Sequence, residues 1–225
     1  MRTTIDYSPA YAAATVDLER GEQLRAESGA MVAMQDVGIE TGVHGGLMKG
    51  LRRKVLGGES FFVNTFTAGE RGGRVMVAPS LPGDVAQWVL QDETLLVQSG
   101  SFLACAASVE VDSSWGGART FGSREGLFVL KVSGRGDLLL SAYGAMHSLD
   151  LAEGETWTVD TGHMVAWSQS VRYEVRRVGG WRSSLTSGEG LVCDLTGPGR
   201  IVLQTRSEDA FLSWLIPKLP RPNAG

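Results

Sequence analysis

The hexapeptide SGAMVA at residues 28–33 recurs twice with the same chemical pattern, as SGSFLA at 99–104 and as TGHMVA at 161–166. Each copy begins with Ser or Thr and Gly, and ends in two large apolar residues and Ala. A glutamate stands six residues before each copy, at Glu22, Glu93 and Glu155. Three copies with matched spacing predict a threefold internal repeat. The repeated structural glycines are Gly29, Gly100 and Gly162.

Each unit has a second half, which follows a Gly-rich connector. A strand-like run starts at Glu59, Glu125 and Glu189, and each run ends in a Gly-bearing turn before another apolar strand. Two short strands joined by a Gly-rich turn predict a β-hairpin. We expect the turn glycines to adopt positive φ, which glycine tolerates best. These glycines are Gly73, Gly136 and Gly199.

The repeat divides the chain into β repeats at residues 14–84, 85–152 and 153–207, followed by a C-terminal helix and tail at 208–225. Short alternating runs between turns are typical of an all-β chain of antiparallel strands. A single helix is predicted from Ser207, its N-cap, to Ile216, before Pro217. Neighbouring units can cover one another's open sheet edges, so we expect one compact body overall.

Composition excludes several classes of protein. The chain has 225 residues with 30 Gly, 43% hydrophobic residues and a formal net charge of −4. The absence of a Gly-X-Y period excludes collagen, and the apolar content excludes wholesale disorder. No apolar run reaches the length of a membrane-spanning helix. Cys105 and Cys193 lie in apolar runs and predict buried free thiols, so we expect a cytoplasmic protein.

A glycine-rich segment runs from Gly45 to Phe61 and contains GGL, GLRR and GGESF. With the repeated Ser/Thr-Gly motif, it resembles bacterial relatives of the altered-inheritance-of-mitochondria biogenesis family over about residues 5–215. The resemblance implies three tandem units similar to the trp RNA-binding attenuation protein, packed as a pseudo-trimer in a short double-stranded β-helix. It implies no catalytic residue and no agreed activity for bacterial members, whereas mitochondrial members are tied to inner-membrane organisation. Fold analogy alone carries over neither tryptophan nor RNA binding.

The connector from Gly45 to Gly58 is a candidate binding segment. Its basic residues alternate with apolar ones, and no acidic residue interrupts them; the basic residues are Lys49, Arg52, Arg53 and Lys54. Such a segment can meet anionic lipid headgroups, a phosphate ligand or an acidic protein partner. The alternative interpretation is a solvated loop whose apolar residues cover the next unit.

The predicted C-terminal helix is a candidate contact surface. Its apolar residues include Phe211, Trp214, Leu215 and Ile216. Ten residues are too short to cross a bilayer. The helix can cap the β body, mediate self-association or touch a membrane surface, and apolar helical stripes favour the first two roles.

The sequence contains no assembled catalytic or metal-binding constellation. His44, His147 and His163 fall in unrelated contexts, so we expect no metal and no cofactor. The repeated Ser28, Ser99 and Thr161 have no matched histidine and are interpreted as turn residues. We therefore expect a protein that is not an enzyme.

Two function classes remain. The first is a scaffold or binding protein of uncharacterised role that forms a homo-oligomer, with a location peripheral to the inner membrane face as one option. The second is a sensor with a small molecule in a crevice between repeats. The available crevice aromatics are Trp88, Trp115, Trp167 and Trp181. The acidic net charge disfavours nucleic-acid binding.

Overall fold

The computed structural model describes residues 1–41, 63–112, 128–177 and 191–220. These residues are mostly β-strand with one short helix, which confirms the prediction of an all-β chain with a C-terminal helix. In chain order the elements are β1 (Arg2–Asp6), β2 (Ala13–Leu18), β3 (Gln23–Glu27), β4 (Met31–Gln35), β5 (Val37–Thr41), β6 (Val63–Ala68), β7 (Gly73–Val77), β8 (Gly83–Gln98), β9 (Phe102–Ala106), β10 (Val109–Asp112), β11 (Val129–Tyr143), β12 (Met146–Leu151), β13 (Thr156–Asp160), β14 (Met164–Ser168), β15 (Arg172–Arg177), β16 (Leu191–Thr196), β17 (Gly199–Gln204) and α1 (Glu208–Leu215).

The described strands form three antiparallel sheets. The first has the order β1-β2-β7-β4, and the third has the order β13-β16-β15. The second and largest has the order β12-β17-β14-β8-β11-β9-β3-β6-β5, with β10 also paired to β11. Its centre is the ribbon of β8 and β11, in which Gly83 lies opposite Tyr143 and Gln98 lies opposite Val129.

The three motif copies form strands with one shared register. β4 pairs with β7, β9 with β11 and β14 with β17. In each pair the register shifts at the residue three positions after the motif glycine: these residues are Val32, Leu103 and Val165. A register shift of this kind is a β-bulge, which bends the strand. The motif therefore encodes a turn followed by a bulged strand.

The predicted hairpins are wrong. β6 pairs with β3 and β5, whereas β7 pairs with β2 and β4, so the strands around the first Gly-rich turn lie in different sheets. β16 and β17 also lie in different sheets. At residues 129–143 the two predicted strands are one strand, β11, whose register shifts between Gly134 and Arg135. The first and third turns redirect the chain between sheets, and a local sequence pattern does not distinguish such a corner from a hairpin.

The turn glycines have two different physical roles. Gly136 and Gly199 adopt φ of 143° and 144°, as predicted. At the first turn the positive φ of 82° belongs to Gly72, so the prediction for Gly73 is wrong. Gly73 is instead required for space, because a Cβ atom there would lie 2.5 Å from Val37 Cγ2 and 2.7 Å from the Asp36 carbonyl oxygen.

The core is built from the inward faces of the sheets. Its largest fully buried side chains include Phe66, Phe102 and Trp167. Complete burial of a large apolar side chain contributes about 1.5–3 kcal/mol to stability. Cys105 and Cys193 are free and buried, which confirms their predicted environment.

The helix α1 starts where the sequence predicts. The Ser207 side chain is the N-cap and accepts a hydrogen bond from the Ala210 backbone N–H. Glu208 and Asp209 occupy the first turn, where carboxylates interact favourably with the helix dipole. None of the helices in the described ranges has the length and apolarity needed to cross a membrane.

Candidate functional site

The strand β4 presents exposed apolar side chains to solvent. Val32 is 56% exposed, whereas Leu103 and Val165, which hold the same motif position, are completely buried. Met34 is also exposed, although Cys105 and Trp167 at its equivalent positions are buried. One motif thus forms buried strands twice and an exposed apolar strand once.

This exposure has a topological cause. Among the described strands β4 pairs only with β7 and ends its sheet, so one of its edges is unpaired. β9 lies between β11 and β3, and β14 lies between β17 and β8. The two buried motif strands therefore have neighbours on both edges. β4 lacks the second neighbour in the part of the chain that the structure describes.

A second unpaired edge belongs to β13. This strand pairs with β16 and ends its sheet within the described residues. Trp157 is 43% exposed there, whereas Leu24 and Leu95, the residues that follow the other two recurrent glutamates at the same spacing, are fully buried. The Trp157 indole N–H donates to Glu155 Oε1 at 3.0 Å, and the Thr158 hydroxyl donates to Asp194 Oδ1 at 2.6 Å.

Glu22 and Glu155, two of the three recurrent glutamates, support the turns before their strands. Glu22 Oε2 accepts from the Glu19 backbone N–H and Glu155 Oε2 accepts from the Ala152 backbone N–H, both at 2.9 Å. Hydrogen bonds from the Trp157 indole and from Ala152 lower the pKa of Glu155. These contacts assign Glu22 and Glu155 a structural task.

A cavity of about 400 Å³ is the second candidate site. Residues from all three predicted units line it, including Glu27, Gln98, Thr161 and Asp209. Gln204 at its wall donates from Nε2 to the Gly162 carbonyl oxygen and accepts at Oε1 from the Tyr143 backbone N–H, both at 2.9 Å. The lining is rich in hydroxyl, amide and carboxyl groups, which suit a small polar ligand.

Trp88 and Trp167, two of the four tryptophans expected in a crevice, do not line this cavity. Trp167 is buried in the core against Tyr173, with ring centroids 5.2 Å apart. Trp88 donates to Glu93 Oε1 and stacks beneath the Arg200 guanidinium. Trp115 and Trp181 lie outside the described residues. The described part of the cavity wall therefore offers Tyr143 instead of an indole.

The helix α1 extends from the rim of this cavity and stays accessible. Phe211 meets Tyr143 edge to face at 6.2 Å, and Trp214 stacks on Phe211 at the same distance. Trp214 is 58% exposed, Ile216 is exposed and Leu215 is half-buried. The described β body leaves most of this predicted contact surface open.

The remaining candidates form no assembled site within the described residues. Lys49, Arg52, Arg53, Lys54 and His44 lie outside the described residues. His163 Nδ1 lies 2.8 Å from the Gln204 carbonyl oxygen, and the described ranges hold no group of three potential metal ligands. Burial raises the pKa of Cys105 to about 11 and that of Cys193 to about 12. Thiols with such pKa values are poor nucleophiles at neutral pH.

Sequence reasoning did not predict the exposure of β4 and β13. The apolar sequence MVAM at 31–34 has the same pattern as the buried motif strands, so composition gives no sign of its exposure. The available signal was position along the chain. β4 belongs to the first predicted unit and β13 to the last.

Known proteins are similar to this chain in both sequence and fold. The family model for mitochondrial biogenesis AIM24 matches residues 3–206. An uncharacterized protein of Streptococcus pyogenes serotype M6 is 31% identical over 98% of this chain and 92% of its own length. A crystal structure of a Streptococcus pyogenes protein superposes with a TM-score of 0.79 at 30% identity, over 97% of this chain and 99% of that one. The chain therefore belongs to the AIM24 family.

Proposed function

We propose that this protein is a non-enzymatic scaffold or binding protein that acts through exposed strand edges and apolar surface. The exposed apolar strand β4 carries the proposal, since the same motif is buried wherever a neighbouring strand covers it. An unpaired edge offers backbone donors and acceptors, and its apolar side chains add binding energy. Exposed Trp214 and Ile216 on the C-terminal segment add a second contact surface of the same character.

The proposed architecture is three tandem β units at residues 14–84, 85–152 and 153–207, followed by the helix and tail at 208–225, packed as one body. The shared register of the motif strands supports this division. A cross-strand ion pair repeated at one position also supports it, since Asp17 meets Arg74 and Asp150 meets Arg200. A pseudo-trimeric double-stranded β-helix is the arrangement that we propose for these units.

The proposed location is the cytoplasm, with a peripheral position at the inner membrane face. The basic segment from Gly45 to Gly58 supports contact with anionic headgroups, because each cation near such a surface contributes about 1 kcal/mol. The test is flotation with liposomes that contain or lack anionic lipid. Wild type should float with the anionic vesicles only.

The variant Lys49/Arg52/Arg53/Lys54→Ala tests the segment itself. We expect it to remain at the bottom of the gradient with both vesicle types. The matched control replaces four exposed arginines elsewhere, Arg20, Arg71, Arg135 and Arg177, with Ala, and should float like wild type. Equal flotation of the two variants would refute a specific role for the segment. Absence of flotation by wild type would remove the membrane location and leave the scaffold proposal.

A ligand sensor is the second candidate function, and the cavity favours it. We propose a small polar ligand because hydroxyl, amide and carboxyl groups line the walls. Native mass spectrometry and a thermal-shift screen of polar metabolites test for it in the wild type. Gly100→Trp fills the rim of the cavity from an exposed position and should abolish any shift. A screen without hits and a mass equal to that of the bare chain would contradict this function.

A further inference from the structure

Two contacts between strands follow the same spacing rule. In the pairing of β3 with β9, Leu24 lies opposite Ala106. In the pairing of β8 with β14, Leu95 lies opposite Ser168. Both contacts place the residue two positions after a recurrent glutamate opposite the residue six positions after a motif glycine. The rule therefore describes how one motif strand docks on the strand of another unit.

β1, β5, β12 and β15 also end sheets among the described strands, but only β13 and β4 contain the two positions of this rule and lack the corresponding partner. β13 follows Glu155, and β4 follows Gly29. The rule sets Trp157 opposite Gln35 and Thr158 opposite Met34 in an antiparallel pair. β4 and β13 could therefore pair with each other as β9 pairs with β3 and as β14 pairs with β8. The two existing pairs fix the register.

We propose that β4 of one copy of this chain pairs with β13 of a second copy, with Thr158 opposite Met34. This inference rests on the proposed binding function and names its partner. The contact joins two different surfaces, so each pair of copies keeps one unpaired β4 and one unpaired β13. Copies therefore join head to tail, and the assembly ends only when a ring closes.

The burial pattern supports a second copy as the occupant. Among the described strands β4 pairs only with β7 and β13 only with β16, and the side chains of Val32, Met34 and Trp157 are exposed. A second copy supplies both missing neighbours at once. It covers Val32 and Met34, and it places Trp157 in the environment that buries Leu24 and Leu95.

The electrostatics of the two edges are compatible with close approach. β4 contains no charged residue. On β13 the predicted contact residues Trp157, Thr158 and Val159 are also uncharged. The pairing therefore desolvates no ionised side chain at its centre, and apolar burial is the main driving force.

Disulfide trapping tests both the contact and its register. One chain carries Met34→Cys, a second carries Thr158→Cys, and the two are mixed and oxidised. Directly opposed strand residues lie within the Cα separation that a disulfide spans, whereas residues offset by two positions do not. Val32→Cys mixed with Thr158→Cys is the matched control, because both of its substituted sites are exposed. The native Cys105 and Cys193 are buried and do not compete.

We expect a covalent dimer from the Met34 and Thr158 mixture at about tenfold or greater yield over the control mixture, because only the former meets the distance requirement. Equal yields in both mixtures, or no dimer in either, would overturn the proposal. A chain with both substitutions that forms only an internal disulfide would also overturn it, since its own edge would then be the occupant. Each outcome is independent of liposome flotation, so failure here leaves the proposed membrane contact standing or falling on its own test.

Discussion

Leu95 of β8 lies directly opposite Ser168 of β14. The same relative position recurs where β3 meets β9, so the chain uses one docking geometry twice. Leu95 is fully buried by this arrangement, whereas Trp157, its counterpart on β13, is exposed. The chain thus presents a surface whose internal equivalents are already covered.

Substitution by Ala should lower the free energy of unfolding much more at Leu95 than at its counterpart Trp157. Leu95→Ala removes a fully buried side chain and should lower the free energy of unfolding by about 2–5 kcal/mol. Trp157→Ala should lower that of the isolated chain by only about 1 kcal/mol, because Trp157 is already 43% exposed there. Urea denaturation of dilute protein measures both values. A similar large loss for both variants would mean that Trp157 is buried within the chain.

The two cysteine thiols should be unreactive in the folded protein. Burial raises the pKa of Cys105 to about 11 and that of Cys193 to about 12, so almost no thiolate forms near neutral pH. A thiol-reactive chromogenic reagent at pH 8 should label neither residue in native protein and both in guanidinium chloride. Rapid labelling of the native chain would contradict the described core.

Asp17 should make stability depend on pH at the acidic end. Hydrogen bonds from Arg74 and Arg2 hold the pKa of Asp17 below its ordinary value of 3.8. Its contribution to stability is therefore complete above the unfolded pKa and is lost as pH falls through the lower folded pKa. Wild type should exceed Asp17→Asn in unfolding midpoint at pH 6, and the difference should vanish in strong acid. A difference that is independent of pH would show that the ion pair is not responsible.

The N-cap of α1 should control the order of the helix. Ser207→Ala removes the acceptor for the Ala210 backbone N–H and should destabilise the helix by about 1 kcal/mol. Hydrogen exchange of residues 208–215 should quicken accordingly. Ser213→Ala, which alters an exposed hydroxyl within the same helix, is the control and should leave exchange nearly unchanged. Equal effects of the two substitutions would assign the stability of α1 to other contacts.

The sequence predicted what depends on local pattern and spacing. Glu22, Glu93 and Glu155 located the motif, and the structure shows the three motif strands in the same bulged register. The helix start at Ser207 was also predictable, because a cap is a local arrangement of side chain and backbone. The sequence did not predict that the turns at Gly73 and Gly199 join strands of different sheets, because strand pairing there depends on residues distant in the chain.

The exposure of the candidate site could not be predicted from sequence, because it depends on tertiary contacts. Val32 and Val165 are the same residue type in the same motif, yet only the second is covered. No local property separates them, because the difference comes from whether another strand follows in the sheet. The polar cavity was expected only as a crevice between repeats, and the described part of its wall contains Gln204 and Tyr143 and neither Trp88 nor Trp167.

The assembled mass of the wild-type chain tests the central claim most directly. Multi-angle light scattering behind size exclusion, over a range of concentrations, should give a multiple of the 24.0 kDa chain mass. Met34→Asp, which adds a carboxylate to the uncharged edge of β4, should shift the protein toward one chain. Val89→Asp, which adds a carboxylate at an exposed apolar residue outside β4, should not. A wild-type mass of one chain at every concentration, unchanged by either substitution, would contradict pairing between copies.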